Sequence, residues 1–130
     1  AIRFEYGTRN SAAIVGLAEA MKFQERVGRE RIAARGRALA AQVRAGLERL
    51  EGVEVLTPRP ADLHGSIVTF RTAKVPFDQL FSRLLKDHGL RCRPVSEQRL
   101  NALRVSTHLF NSPAECAALV SGVEKVLRSA

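Results

Sequence analysis

The spacing of apolar residues first changes near Gly52, and that change decides the class of fold. Before it the period is helical. "SAAIVGLAEAMKFQERVG" sets Ile14, Leu17, Ala18 and Met21 at i, i+3, i+4 and i+7, one face of a helix. "RERIAARGRALAAQVRAGLERLEG" repeats the signal through Ile32, Leu39, Val43, Leu47 and Leu50. Asn10 or Ser11 can cap the first free N–H groups, Gly28 interrupts the run and Gly52 is placed to end it. Two successive helices, or one long kinked helix, are expected from Ser11 to Glu51. After Gly52 the pattern alternates in "VEVL", loops through "TPRPADLHG" and alternates again in "SIVTFRT", Ser66 to Thr72. "PFDQLFSRLLKDHG" returns to helical spacing through Phe77, Leu80, Phe81, Leu84 and Leu85, with Pro76 in its first turn and Gly89 as its stop. "LRCR" and "ALRVST" read as two further strands. "SPAECAALVSGVEKVL" reads as a closing helix with Ser112 as cap, Pro113 first and Glu115 completing a capping box. The order α, α, β, β, α, β, β, α predicts an α+β fold: a small, mostly antiparallel sheet covered by helices, preceded by a long helical segment.

Composition narrows the function. With 130 residues, 45% hydrophobic and 26% charged, the chain suits one compact domain with its own core. Charges or glycines interrupt every apolar run, so neither a membrane span nor a signal peptide is expected. Cys92 and Cys116 stand alone, without a CxxC or Cys/His pattern, which argues against zinc and against a disulfide framework and favours a reducing, cytoplasmic setting. The net charge of +8 raises nucleic acid as a partner. Its distribution speaks against one: Arg29, Arg31, Arg35, Arg37, Arg44 and Arg49 are mixed with Glu30 and Glu48 along a helix and have no aromatic residues among them for base stacking. They read as a solvated helix face.

No complete catalytic set is visible. His64, His88 and His108 share no metal-ligand spacing, His88 suits the C-terminal end of a helix, and both cysteines fall where core residues belong. Two stretches stand out. In "LRVSTHLFNS", Arg104 opens a strand with no further charge before the last helix. Its planar fork fits a carboxylate through two parallel hydrogen bonds, unless it is a surface arginine at a sheet edge. In "RFEYGTRN", Gly7 and Thr8 offer a backbone turn and a hydroxyl just before a helix, a corner that can hold a phosphate or serve only as an entry turn.

Taken in order, "FEYGTRNSAAIVGLAEAMKF", "HGLRCR" and "LRVSTHLFNSPAECAALVSGVEKV" resemble the C-terminal part of the class V aminotransferase family, fold type I enzymes that use pyridoxal phosphate. The family includes cysteine desulfurases and isopenicillin N epimerase-like proteins, and the resemblance covers essentially the whole chain. It implies that Arg104 grips the α-carboxylate of an amino acid substrate and that Arg93 lies at the rim of the same site. It implies that Thr8, with Gly7, reaches the cofactor phosphate in the neighbouring subunit of a homodimer. His108, Asn111 and Asn10 are assigned structural corners. The loop "PVSEQRLNA" lacks the nucleophilic cysteine of the desulfurases, so persulfide chemistry is not expected. The family's Schiff-base lysine, acidic pyridine partner and ring-stacking histidine lie upstream of the matched region, and Lys22, Lys74, Lys86 and Lys125 do not match the lysine motif. The expectation is a catalytically incomplete C-terminal small domain, residues 1–130, with 1–27 the link from a large cofactor domain, and with no pyridoxal phosphate bound by this piece alone. The alternative is a free-standing α+β module that binds carboxylates or acidic partners.

Overall fold

In a computed structural model, which describes Gly7 and residues 10–130, helices and strands follow the order expected from the period change. By Cα proximity the chain divides into two units, residues 1–32 and 33–130. The first holds helix α1 (Ser11–Val27). Asn10 caps it, Oδ1 accepting from the Ala13 N–H at 3.0 Å, and Gly28 ends it with φ 93°, a conformation that favours glycine. None of its residues is buried, and the predicted stripe of Ile14, Leu17 and Met21 is about half exposed or more. Helix α2 (Arg29–Leu47) begins in this unit, and its buried residues, from Gly36 to Leu47, belong to the second.

The second unit is built on a four-stranded antiparallel sheet. Its strands are β1 (Val53–Val55), β2 (Ile67–Thr72), β3 (Arg93–Val95) and β4 (Ala102–Ser106), in the order β1-β2-β4-β3. Val53, Val55, Val68, Phe70, Leu103 and Val105 fall on one face by alternation and register. That face packs with Leu39, Val43 and Leu47 of α2, Leu80 and Leu84 of α3 (Phe77–His88), and Leu119, Val123 and Val126 of α4 (Pro113–Arg128) into a single core. Phe70 and Leu103, direct partners across β2 and β4, are 0% and 1% exposed at its centre.

Glycines let α2 approach its neighbours. A Cβ at Gly36 would meet Ser66 Cβ at 2.9 Å, and one at Gly46 would meet Val120 Cγ2 at 2.5 Å. Beside Gly36, the buried Thr107 hydroxyl donates to the Gly36 carbonyl at 2.9 Å and lies 3.1 Å from that of Ser66, tying the end of β4 to α2. Both capping features of the last helix are present: Ser112 Oγ accepts from the Glu115 N–H, and Glu115 Oε2 accepts from the Ser112 N–H at 2.6 Å.

Three boundaries differ from the sequence expectation. Helix α2 stops at Leu47, because Arg49 and Leu50 donate instead to the carbonyls three residues back and wind a tight turn towards Gly52. Pro76 is the residue before α3, outside its first turn, and Asn101 Oδ1 supplies the missing cap by accepting from the Phe77 N–H at 3.0 Å. The third strand is Arg93–Val95, later than "LRCR". Gly89 closes α3 in the left-handed conformation while Leu90 donates to the Leu84 carbonyl at 2.9 Å, so the chain spends Leu90 on the helix end and on the core before it can extend. Pro94 then sits in an edge strand, where its lost donor does least harm.

Candidate functional site

The sheet face opposite the core is where charge collects. Register places Thr69, Arg104 and Arg93 side by side across β2, β4 and β3. Directly opposed residues of antiparallel strands carry their Cβ atoms roughly 4.5–5.5 Å apart, so two guanidinium groups share one small area of surface. Beyond them, Arg71 pairs with Glu54 at 2.7 Å.

The two arginines differ in what they touch. Arg93 Nη2 donates to Glu97 Oε1 at 2.6 Å. Arg104 is partly buried, and its Nε is a buried donor with no hydrogen-bond partner among the described residues. A buried donor left unpaired costs about 1–3 kcal/mol, and a charged one more, so such an atom in a native fold calls for a partner, whether water, ion or ligand. The Glu97 carboxyl is held below its ordinary range, first by its own backbone N–H, then by the hydrogen bond from Arg93, with the charge of Arg104 adding to a smaller extent and partial desolvation opposing.

The chain between the two arginines is tightly folded. Glu97–Arg99 form one 3-10 turn, and Gln98, Arg99 and Asn101 have φ of 53°, 61° and 48°. Three left-handed residues with side chains in five positions is an unusual concentration, of the kind found where surrounding structure over-determines a backbone. Asn101, held by the Phe77 N–H, anchors the far end of this loop to α3.

The remaining sequence candidates fall elsewhere. Thr8 lies outside the described residues, and Gly7 is exposed with φ 77° and nothing within 4 Å of a Cβ built on it. His108 is exposed on the turn after β4, its ring 5.1 Å from that of Phe110. Asn111 closes that turn, its Oδ1 accepting from the His108 N–H at 2.9 Å. Cys92 and Cys116 are buried beside one cavity of about 240 Å³, and burial pushes the Cys92 thiol up to about 11 and that of Cys116 upward as well. Among the described residues no group of three His, Cys, Asp or Glu could hold a metal ion, and no helix is long and apolar enough to cross a membrane. Sequence reasoning missed Glu97 and Thr107. The four-residue interval from Arg93 to Glu97 signals a pair only on a helix, and here it spans a strand and a turn.

Fold and surface together define a small α+β domain with helices on one face of an antiparallel sheet and two register-paired arginines, Arg104 and Arg93, on the other. The chain belongs to the class V aminotransferase family, whose sequence pattern it matches over residues 1–119. It is 30% identical over 137 residues to a probable cysteine desulfurase of Pyrococcus abyssi, covering 98% of this chain and 33% of that protein. It is 31% identical over 126 residues to the isopenicillin N epimerase of Amycolatopsis lactamdurans, covering 92% and 30% respectively. The solved apo cysteine desulfurase of Thermococcus onnurineus superimposes with a TM-score of 0.87 at 27% identity, covering 98% of this chain and 34% of that one. The chain thus spans about a third of the length of the relatives it matches. The family is pyridoxal-phosphate-dependent.

Proposed function

We propose that this chain is the small C-terminal domain of a pyridoxal-phosphate-dependent enzyme acting on an amino acid, and that Arg104 holds the substrate α-carboxylate. The observation that carries the reading is the buried Nε of Arg104, unpaired among the described residues, on a strand fixed from both sides. A guanidinium offers two parallel N–H donors that match a carboxylate, and Thr69 on one flank adds no competing charge. Thr107, bonded to the Gly36 carbonyl, fixes the end of β4 and with it the approach of Arg104. Positioning is this domain's share of catalysis, because holding a substrate in a reactive geometry removes entropy that the reaction would otherwise lose.

The residues present fit the cofactor only in part. Pyridoxal phosphate, when bound, supplies an electron sink for bonds at the substrate α-carbon. The open backbone turn at Gly7 suits a phosphate, and we propose that Gly7 and Thr8 serve that group in the neighbouring subunit of a homodimer. Lys22, Lys74, Lys86 and Lys125 are all exposed, whereas a lysine that bonds a carbonyl is activated by desolvation or by a neighbouring cation, so the catalytic lysine is assigned to the large domain. Both thiols are buried with raised pKa values, a poor basis for a sulfur nucleophile, which favours an amino acid reaction other than persulfide formation.

The test is amino acid binding by the full-length protein, followed through the absorbance of bound pyridoxal phosphate. Arg104→Ala should weaken binding by about a hundredfold, the order expected for two charge-assisted hydrogen bonds. Arg104→Lys should restore only part of it. An unchanged dissociation constant in Arg104→Ala would remove the assignment.

A further inference from the structure

We infer that Glu97 sets the charge of the substrate this site accepts, favouring an amino acid with one carboxylate and a neutral side chain over a dicarboxylic one. The inference rests on the reading that Arg104 holds the α-carboxylate. Left to themselves, Arg93 and Arg104 would form a two-guanidinium surface, since they are register partners on one face of β3 and β4. Such a surface best complements a ligand with two negative groups, and like charges placed directly opposite each other are unfavourable without one.

Glu97 alters that balance. Its carboxylate bonds Arg93, four residues back in β3, at 2.6 Å, and the three left-handed non-glycine residues that follow Glu97, pinned at Asn101 to the start of α3, return the chain from there to β4. Arg93 and Glu97 are 49% and 53% exposed. An ion pair so exposed contributes little to stability. Its chemical consequence is electrostatic: Arg93 is neutralised, and a fixed negative group stands where the second carboxylate of a dicarboxylic substrate would approach. Among the described residues, the row then presents one uncommitted cation, Arg104, which matches a single carboxylate.

The experiment compares L-alanine with L-aspartate in the full-length protein. Dissociation constants are measured by calorimetric titration for the wild type, Glu97→Gln, Glu97→Asp and Arg104→Ala. In Glu97→Gln the ratio of aspartate affinity to alanine affinity should rise by about tenfold, the effect of removing one close like charge and freeing one opposite charge. Glu97→Asp, which keeps the charge, should hold the ratio within about threefold of wild type. An unchanged ratio in Glu97→Gln, with Arg104→Ala still weakening alanine binding by about a hundredfold, overturns the role of Glu97 and leaves Arg104 in place. An alanine dissociation constant left unchanged by Arg104→Ala overturns the reading beneath it. A ratio that rises equally in Glu97→Asp and Glu97→Gln shows that shape rather than charge governs, and also overturns the inference.

Discussion

Gly46→Ala sets two effects against each other in α2. Alanine is the better helix former, by at most roughly 1 kcal/mol over glycine. A methyl group at this position would nevertheless lie 2.5 Å from Val120 Cγ2, 3.0 Å from Cγ1 and 3.2 Å from Cβ on α4. Non-bonded carbons rest about 3.5–4.0 Å apart, so one helix must withdraw by roughly 1 Å. Val120 cannot turn aside, because a β-branched side chain in a helix has essentially one rotamer. Overpacking costs about 1–3 kcal/mol, and a contact as short as 2.5 Å falls in the upper part of that range, about 2–3 kcal/mol, which after the propensity gain leaves a net loss of about 1–2 kcal/mol. Urea unfolding followed by far-ultraviolet circular dichroism measures it, and Val120→Ala, alone and combined with Gly46→Ala, completes the cycle. The double variant should show a favourable coupling of about 1 kcal/mol, since shortening Val120 makes room for the new methyl. Gly16→Ala in α1 is the control: a Cβ there meets nothing within 4 Å, so the propensity gain should appear alone. A Gly46→Ala protein as stable as the wild type, or a coupling near zero, would refute the close approach of α2 and α4.

Two further outcomes follow from capping and burial. Ser112→Ala removes the hydroxyl that accepts from the Glu115 N–H and should cost about 1 kcal/mol in denaturant titrations at pH 7. The Ser112 backbone N–H and then its hydroxyl hold the Glu115 carboxyl below its ordinary 4.5, so its contribution is present above that pH and is lost as pH falls through the lower folded-state value. The gap between variant and wild type should therefore narrow in acid, and a gap that widens would contradict the capping box. Cys92, with its thiol pushed up to about 11, should resist iodoacetamide at pH 7.5 in the native protein and react fully in denaturant, as read by mass spectrometry. Rapid native labelling would show that it is not buried.

The helices were legible because their period is local. Ile14 to Met21 and Phe77 to Leu85 announce a helix whatever surrounds them, and Ser112, Pro113 and Glu115 mark an end by chemistry that acts within four residues. Arg104 stood out because a charge beside an apolar strand needs a reason. The rest depended on distance through space. That α2 would stop at Leu47 and that "LRCR" would yield its strand to Arg93–Val95 follow from turns competing for the same residues, which alternation does not reveal. Gly46 reads as a weak helix position until Val120 is seen against it. Glu97 becomes meaningful only when the turn after β3 is seen to set it against Arg93.

The two outermost strands of the sheet are three residues long, and one of them carries Pro94. A foreign extended segment arriving at either margin finds few free donors and acceptors to zip onto, and at Pro94 none to receive from. Lateral growth of the sheet into ribbons or fibres is thereby discouraged, even when the domain is crowded. Strand addition at these margins is therefore a poor route to association, whereas the row of Thr69, Arg104 and Arg93 lies on a broad face of the sheet, reached without recruiting a strand.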